Sequence, residues 1–104
     1  MNQEPLSEDN QKVRAHIWVK GRVQGVGFRA HVEYNARQMR GLTGWVRNVG
    51  DDTVEAIGEG ERSTVERFIQ MMKDGPRASR VDESKVGWEE PTGEFERFGV
   101  RRSV

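Results

Sequence analysis

Cysteine is absent from the chain, which removes disulfides, thiolate nucleophiles and Cys-ligated zinc at once. Histidine occurs only at positions 16 and 31, so a His-rich metal site is not expected either. No apolar run approaches the roughly 18 residues of a membrane span, and the first residues lack the apolar segment of a signal peptide. An excess of charge of one sign is missing too: Lys+Arg and Asp+Glu are both 17, so bulk attraction to nucleic acid or to a membrane surface is not indicated. What these absences leave is a soluble, cytoplasmic small domain, and 104 residues suit one core rather than two; a monomer is the separate expectation for its assembly.

The balanced charge conceals an asymmetry. Residues 1–50 hold 8 basic and 4 acidic groups, whereas residues 51–104 hold 9 and 13. From Asn10 to Val32 there is no Asp or Glu, while Lys12, Arg14, Lys20, Arg22 and Arg29 all fall there. That stretch would suit a small anion, although a solvated basic strand and loop would read the same way on charge alone.

Residues 1–11 are polar, acidic and aperiodic, as in a flexible N-terminal tail, leaving a single domain over 12–104. Val13, Ala15, Ile17 and Val19 alternate with polar or aromatic residues, the pattern of a half-buried strand. Gly21–Gly27 reads as a loop, and Phe28, Val32, Ala36 and Met39 then recur at helical spacing, with Gly41 and Leu42 as the stop. Thr43–Val49 and Thr53–Gly58 form a hairpin about Asp51-Asp52, followed by a Gly58–Glu61 loop. Ser63 and Glu66 have capping-box spacing ahead of a Val65, Phe68, Ile69, Met72 stripe, which Gly75-Pro76 ends. Further strands are expected over Arg80–Glu89 and Phe95–Arg101. The order is βαββαβ plus a C-terminal strand: an α+β, ferredoxin-like split βαβ fold with two helices on one face of an antiparallel sheet. Many activities use that fold, so it names none.

Chemistry concentrates in Gly21–Arg29, G-R-V-Q-G-V-G-F-R. Glycines let backbone N–H groups converge, and a helix N-terminus adds free donors and partial positive charge, so Gln24, Gly25, Val26, Gly27 and Phe28 can cradle a phosphate-sized anion. Arg29 would complete the cradle with a planar fork; without an anion, a cation in the first turn opposes the helix dipole. The alternative is a glycine loop that only turns the chain. A nucleotide P-loop is excluded because no Lys-Ser/Thr pair follows, and G-x-G-x-x-A at Gly25, Gly27 and Ala30 lacks the long parallel sheet of a dinucleotide domain. Asn48 closes the second strand on the face of Val46, where its amide could hold a water against bound phosphate or merely bond its own turn.

G-R-V-Q-G-V-G-F-R, then Gly41-Leu42-x-Gly44-Trp45-Val46-x-Asn48 and x-Asp51-x-x-Val54-Glu55, closely resembles the acylphosphatase family. The likeness runs from about Val13 to Val100 and includes Trp88–Phe95. It implies hydrolysis of acyl phosphates to carboxylate and inorganic phosphate, without metal or organic cofactor. It further implies phosphate held by the 22–29 loop and Arg29, an attacking water oriented by Asn48, and competition by phosphate or sulfate. Two departures stand out: Asp52, where the family's turn often has Gly, and Ser84, where it often has an apolar residue.

Other conspicuous residues read plainly: His16 as a surface histidine, His31 as helical surface, Glu89-Glu90 and Arg101-Arg102 as solvated charge. Trp18 and Trp45 fall on the face away from the helices, the arrangement RNA-recognition domains use for base stacking. Glu55 on the neighbouring strand argues against that rival. A catalytically silent anion-binding or interaction module is the other alternative.

Overall fold

The computed structural model describes residues 10–104. The elements are β1 (Lys12–Arg22), α1 (Phe28–Gln38), β2 (Thr43–Val49), β3 (Thr53–Glu61), α2 (Arg62–Asp74), β4 (Arg80–Glu89) and β5 (Phe98–Val100). They form one five-stranded sheet in the order β4-β1-β3-β2-β5. Of the expected 1–11 tail, residues 1–9 lie outside the described residues. Gln11 is tied down, its carbonyl accepting the Arg62 N–H at 2.9 Å.

Alternation in β1 does what period two requires: Ala15, Ile17 and Val19 are fully buried, and Val13 nearly so. They meet Phe28, Val32 and Ala36 from α1, and Val65, Phe68, Ile69 and Met72 from α2. Both helices therefore cover one face, α1 over β2 and β5, α2 over β1, β3 and β4. Phe68 and Phe98 close the core edge to face, with ring centroids 5.4 Å apart.

Four boundaries depart from the sequence expectation. The first strand runs on to Arg22 past a register shift between Lys20 and Gly21, so the following loop is shorter than Gly21–Gly27. The expected Gly58–Glu61 loop is strand, because pairing with β1 continues to Lys12↔Glu61. Gly58 is there for a steric reason: a Cβ would lie 2.7 Å from the Phe68 ring. That pairing also keeps the chain extended up to α2, which starts at Arg62 with Glu61 as N-cap. Ser63 is thus already inside the first turn, and the capping box does not form. Finally α1 stops at Gln38, and Gly41 takes its φ of 78° beyond the Met39 cap.

The fifth strand is shorter than Phe95–Arg101 and runs parallel to β2, while the other three pairings are antiparallel. Strand direction explains this. The chain leaves β4 at one edge, crosses the sheet through residues 90–97 and re-enters beside β2 at the other. Glu59 pins the crossing: its carboxylate accepts from the Thr92 and Gly93 N–H groups at 3.0 and 2.9 Å. Arg14 joins the cluster, donating to Glu59 at 3.0 Å and to Glu89 and Glu94 at 2.9 Å.

The face away from the helices is therefore polar but not open. His16 is half-buried rather than a free surface histidine, stacked on Trp18 at 3.7 Å and bonded to Glu55. Trp45 is only 7% exposed, covered by the guanidinium groups of Arg47 and Arg101 at 4.8 and 4.7 Å. Glu89 and Arg101, expected as solvated charge, thus have partners. At the β2–β3 turn, Gly50 supplies the one positive φ, so Asp52 needs no strained backbone. Ser84 sits exposed opposite Val19 on the edge strand β4, where an apolar side chain is not required.

Two outcomes follow from this packing. Gly58→Ala forces a methyl against a fully buried ring and should cost about 1–3 kcal/mol in denaturant unfolding, with circular dichroism at native conditions retained. Burial would raise the Glu59 carboxyl, but the Thr92 and Gly93 amides and the Arg14 guanidinium overcome it and hold the group below the ordinary glutamate value. A depressed folded value stabilises above the unfolded value and is lost as pH falls through the folded one. Glu59→Gln should therefore be less stable at neutral pH yet lose less than the parent between about pH 5 and pH 3, read from denaturation midpoints.

Candidate active site

Between the end of β1 and the start of α1 the chain makes a short loop, Val23–Gly27. Gly25 and Gly27 take φ of 72° and 76°, where L side chains are strained, although nothing lies within 4 Å of a Cβ at either position. Backbone conformation, not crowding, requires glycine here. Gly27 is the N-cap of α1 and offers no side-chain cap, and the first turn has no acidic residue. The leading amides of α1 are thus left to a ligand, with the positive end of the helix dipole behind them.

These groups line a cleft of about 390 Å³ formed by Val23, Gln24, Gly25, Gly27, Phe28, Arg29, Ala30, Glu33, Asn48 and Val100. It gathers both parts singled out in sequence, the glycine loop with Arg29 and, from a separate strand, Asn48. The Val26 side chain packs against the core, which leaves its expected part in the loop to its backbone amide. His31 lies in a different groove, with Asn35, Arg67 and Gln70.

The Asn48 side-chain oxygen is buried and has no hydrogen-bond partner. An amide acceptor in that condition is short of one donor, and the residue itself lines the cleft. Its main chain is fixed, since the Asn48 carbonyl accepts the Val104 N–H at 3.0 Å and the Gly50 N–H donates to Val104 at 2.9 Å. The sequence alternative, an Asn bonding its own turn, is absent from the side-chain bonds of Asn48 among the described residues. The same C-terminal segment brings Ser103 to Arg29, whose Nη1 donates to the Ser103 hydroxyl at 3.3 Å.

Sequence reasoning placed Gln24 in the cradle through its backbone and missed its side chain. Nε2 shares its two hydrogens among the carbonyls of Val49, Gly50 and Thr53, at 3.2, 3.1 and 2.9 Å. It thereby fastens the glycine loop to the hairpin that carries Asn48. No local signal announces such a contact, because its acceptors are main-chain groups 25 to 29 residues away. Glu33 was legible in principle, being one helical turn beyond Arg29. Among the described residues, no three His, Asp or Glu side chains are grouped so as to hold a metal ion.

A family model described as acylphosphatase matches residues 15–100. The chain belongs to the acylphosphatase family. An acylphosphatase from Roseiflexus sp. is 48% identical over 87 residues, 84% of this chain and 92% of the relative. One from Pyrobaculum islandicum is 46% identical over 95 residues, 90% and 99% of the two chains. Among solved structures, the acylphosphatase from Bacillus subtilis superposes with a TM-score of 0.80 at 35% identity, covering 86% of this chain and 98% of that one. Membership is thus supported over nearly the whole described chain, and the cleft lies within the matched segment.

Gln24→Ala should leave the family fold intact while loosening the loop against the hairpin. Inorganic phosphate should bind about three- to tenfold more weakly, the scale of one or two net hydrogen bonds, when titrated by calorimetry.

Proposed function

We propose that this chain hydrolyses the carboxyl–phosphate bond of small acyl phosphates at the cleft between the 22–29 loop and Asn48, as a cytoplasmic monomer with a domain spanning 12–104. The observation that carries the reading is the pairing of an uncapped helix N-terminus and Arg29 with Asn48, whose side-chain oxygen has no partner, along one cleft. The first two suit a phosphoryl group; the third suits a water beside it.

The amides of Gln24, Gly25, Val26, Gly27 and Phe28 and the Arg29 guanidinium hold the phosphoryl oxygens and neutralise charge that grows there during transfer. Asn48 accepts one hydrogen of a water and aims its lone pair at phosphorus. The new P–O bond forms as the bond to the acyl oxygen breaks, and the carboxylate departs with the electron pair. Such a leaving group needs no general acid, and the water's second proton passes to a phosphoryl oxygen, so no enzyme base is required. A pH–rate profile showing an essential enzyme group near neutrality would contradict that last step. Neither a covalent nucleophile nor a metal or cofactor enters the scheme.

The polar sheet face supports a small-molecule substrate rather than nucleic acid. Trp45 is covered by Arg47 and Arg101, and Trp18 by His16 and Lys85, so neither ring is an open stacking platform.

Phosphate release should be observed with acetyl phosphate and not with a phosphate monoester, should survive EDTA, and should be competed by inorganic phosphate or sulfate. Arg29→Ala should weaken both phosphate binding and turnover, and Arg29→Lys should rescue little, because a point charge lacks the fork. Asn48→Ala should keep phosphate affinity and lower kcat by on the order of 10²–10³. Full activity in Arg29→Ala, or phosphate binding lost with kcat kept in Asn48→Ala, would overturn these roles.

A further inference from the structure

Resting on the hydrolase reading, the cleft also carries information about the acyl group. The glycine loop and Arg29 account for the phosphate, and Asn48 for the water. What remains of the lining around them is Ala30, Glu33 and Val100. Two of these are small or apolar and one is acidic. Glu33 is the sole acidic side chain lining the cleft.

Its position is held from outside. Glu33 Oε2 lies 3.1 Å from Arg37 Nη2, while Arg37 Nε donates to the Phe98 carbonyl at 3.1 Å. Arg37 is thus anchored to β5, and through it Glu33, a lining residue of the cleft, is tied to the strand that also supplies Val100. The pair is solvent-exposed, with side chains 53% and 30% accessible for Arg37 and Glu33, so it adds little stability of its own and readily opens.

We propose that Glu33 sets the charge preference on the acyl side of the site, favouring neutral acyl groups and disfavouring those that carry a second negative charge. A substrate of the second kind would bring its extra carboxylate to a wall that already holds one. The opposing charge acts on binding and on the transition state alike, so it lowers kcat/KM for that substrate. A purely structural i,i+4 pair with Arg37 would affect every acyl phosphate equally, because all present the same phosphoryl group to the loop.

Acetyl phosphate and succinyl phosphate test this, the latter carrying one added carboxylate. The quantity read is the ratio of their kcat/KM values, which cancels any general effect on the phosphate cradle or on folding. Glu33→Gln, nearly isosteric and outside the Phe28, Val32, Ala36 core stripe of α1, should raise the succinyl-to-acetyl ratio about three- to tenfold. Glu33→Lys should raise it further. An unchanged ratio in both variants, with parental turnover of acetyl phosphate intact, overturns the role of Glu33 and leaves the hydrolase reading standing. Failure of the parent protein to hydrolyse either compound overturns the hydrolase reading and this inference with it.

Discussion

For the cleft to exist, a loop following β1 and a strand end preceding β3 have to meet, and the Gln24 amide is the contact that ties them. It reaches three carbonyls at the β2–β3 turn. With the loop fastened there, the amides that open α1 and the Asn48 side chain share one small volume. The left-handed conformations at Gly25 and Gly27 belong to the same constraint, because the loop has to reverse direction within a few residues and still enter a helix. Each local oddity of this segment serves the meeting of two backbones.

The two faces of the sheet solve burial differently. One is covered by helices and filled with aliphatic and aromatic side chains. The other is sealed by ion pairs, stacked cations and the crossing segment 90–97, with Glu55 and Glu59 buried among their partners. Burial raises both carboxyls on its own, and hydrogen bonds outweigh it, to His16 and Arg47 for Glu55 and to Thr92, Gly93 and Arg14 for Glu59. A chain with little apolar residue to spare can close a second face in this way, because polar groups are tolerated inside when each finds a partner. The balanced count of 17 basic and 17 acidic groups is consistent with that use of charge.

Chemically the site is sparse, and an acyl phosphate asks for little. The bond is already activated, so holding the phosphoryl group, offsetting its charge and aiming a water supply most of the acceleration. In the mechanism proposed, an arginine, a set of amides and one neutral side-chain amide supply that, and the remaining lining, Ala30, Glu33 and Val100, is left to the acyl partner.

Sequence by itself determined the element order, the two helix stripes, the core face of β1 and the candidate pair Arg29 and Asn48, because each is written in short-range periodicity or in a compact motif. Tertiary structure decided what depends on residues distant along the chain. Pairing with β1 carried β3 through Gly58 and Gly60, where local composition reads as loop, and it displaced the α2 start so that Ser63 could not cap. Crossing from one sheet edge to the other made β5 parallel to β2. Partners distant in sequence left His16 half-buried and gave the still exposed Glu89 and Arg101 specific contacts. The glycine loop was legible as a candidate anion cradle, yet its attachment through Gln24 was not. A hydrogen bond from a side chain to main-chain carbonyls leaves no trace in the identity of the residues that accept it.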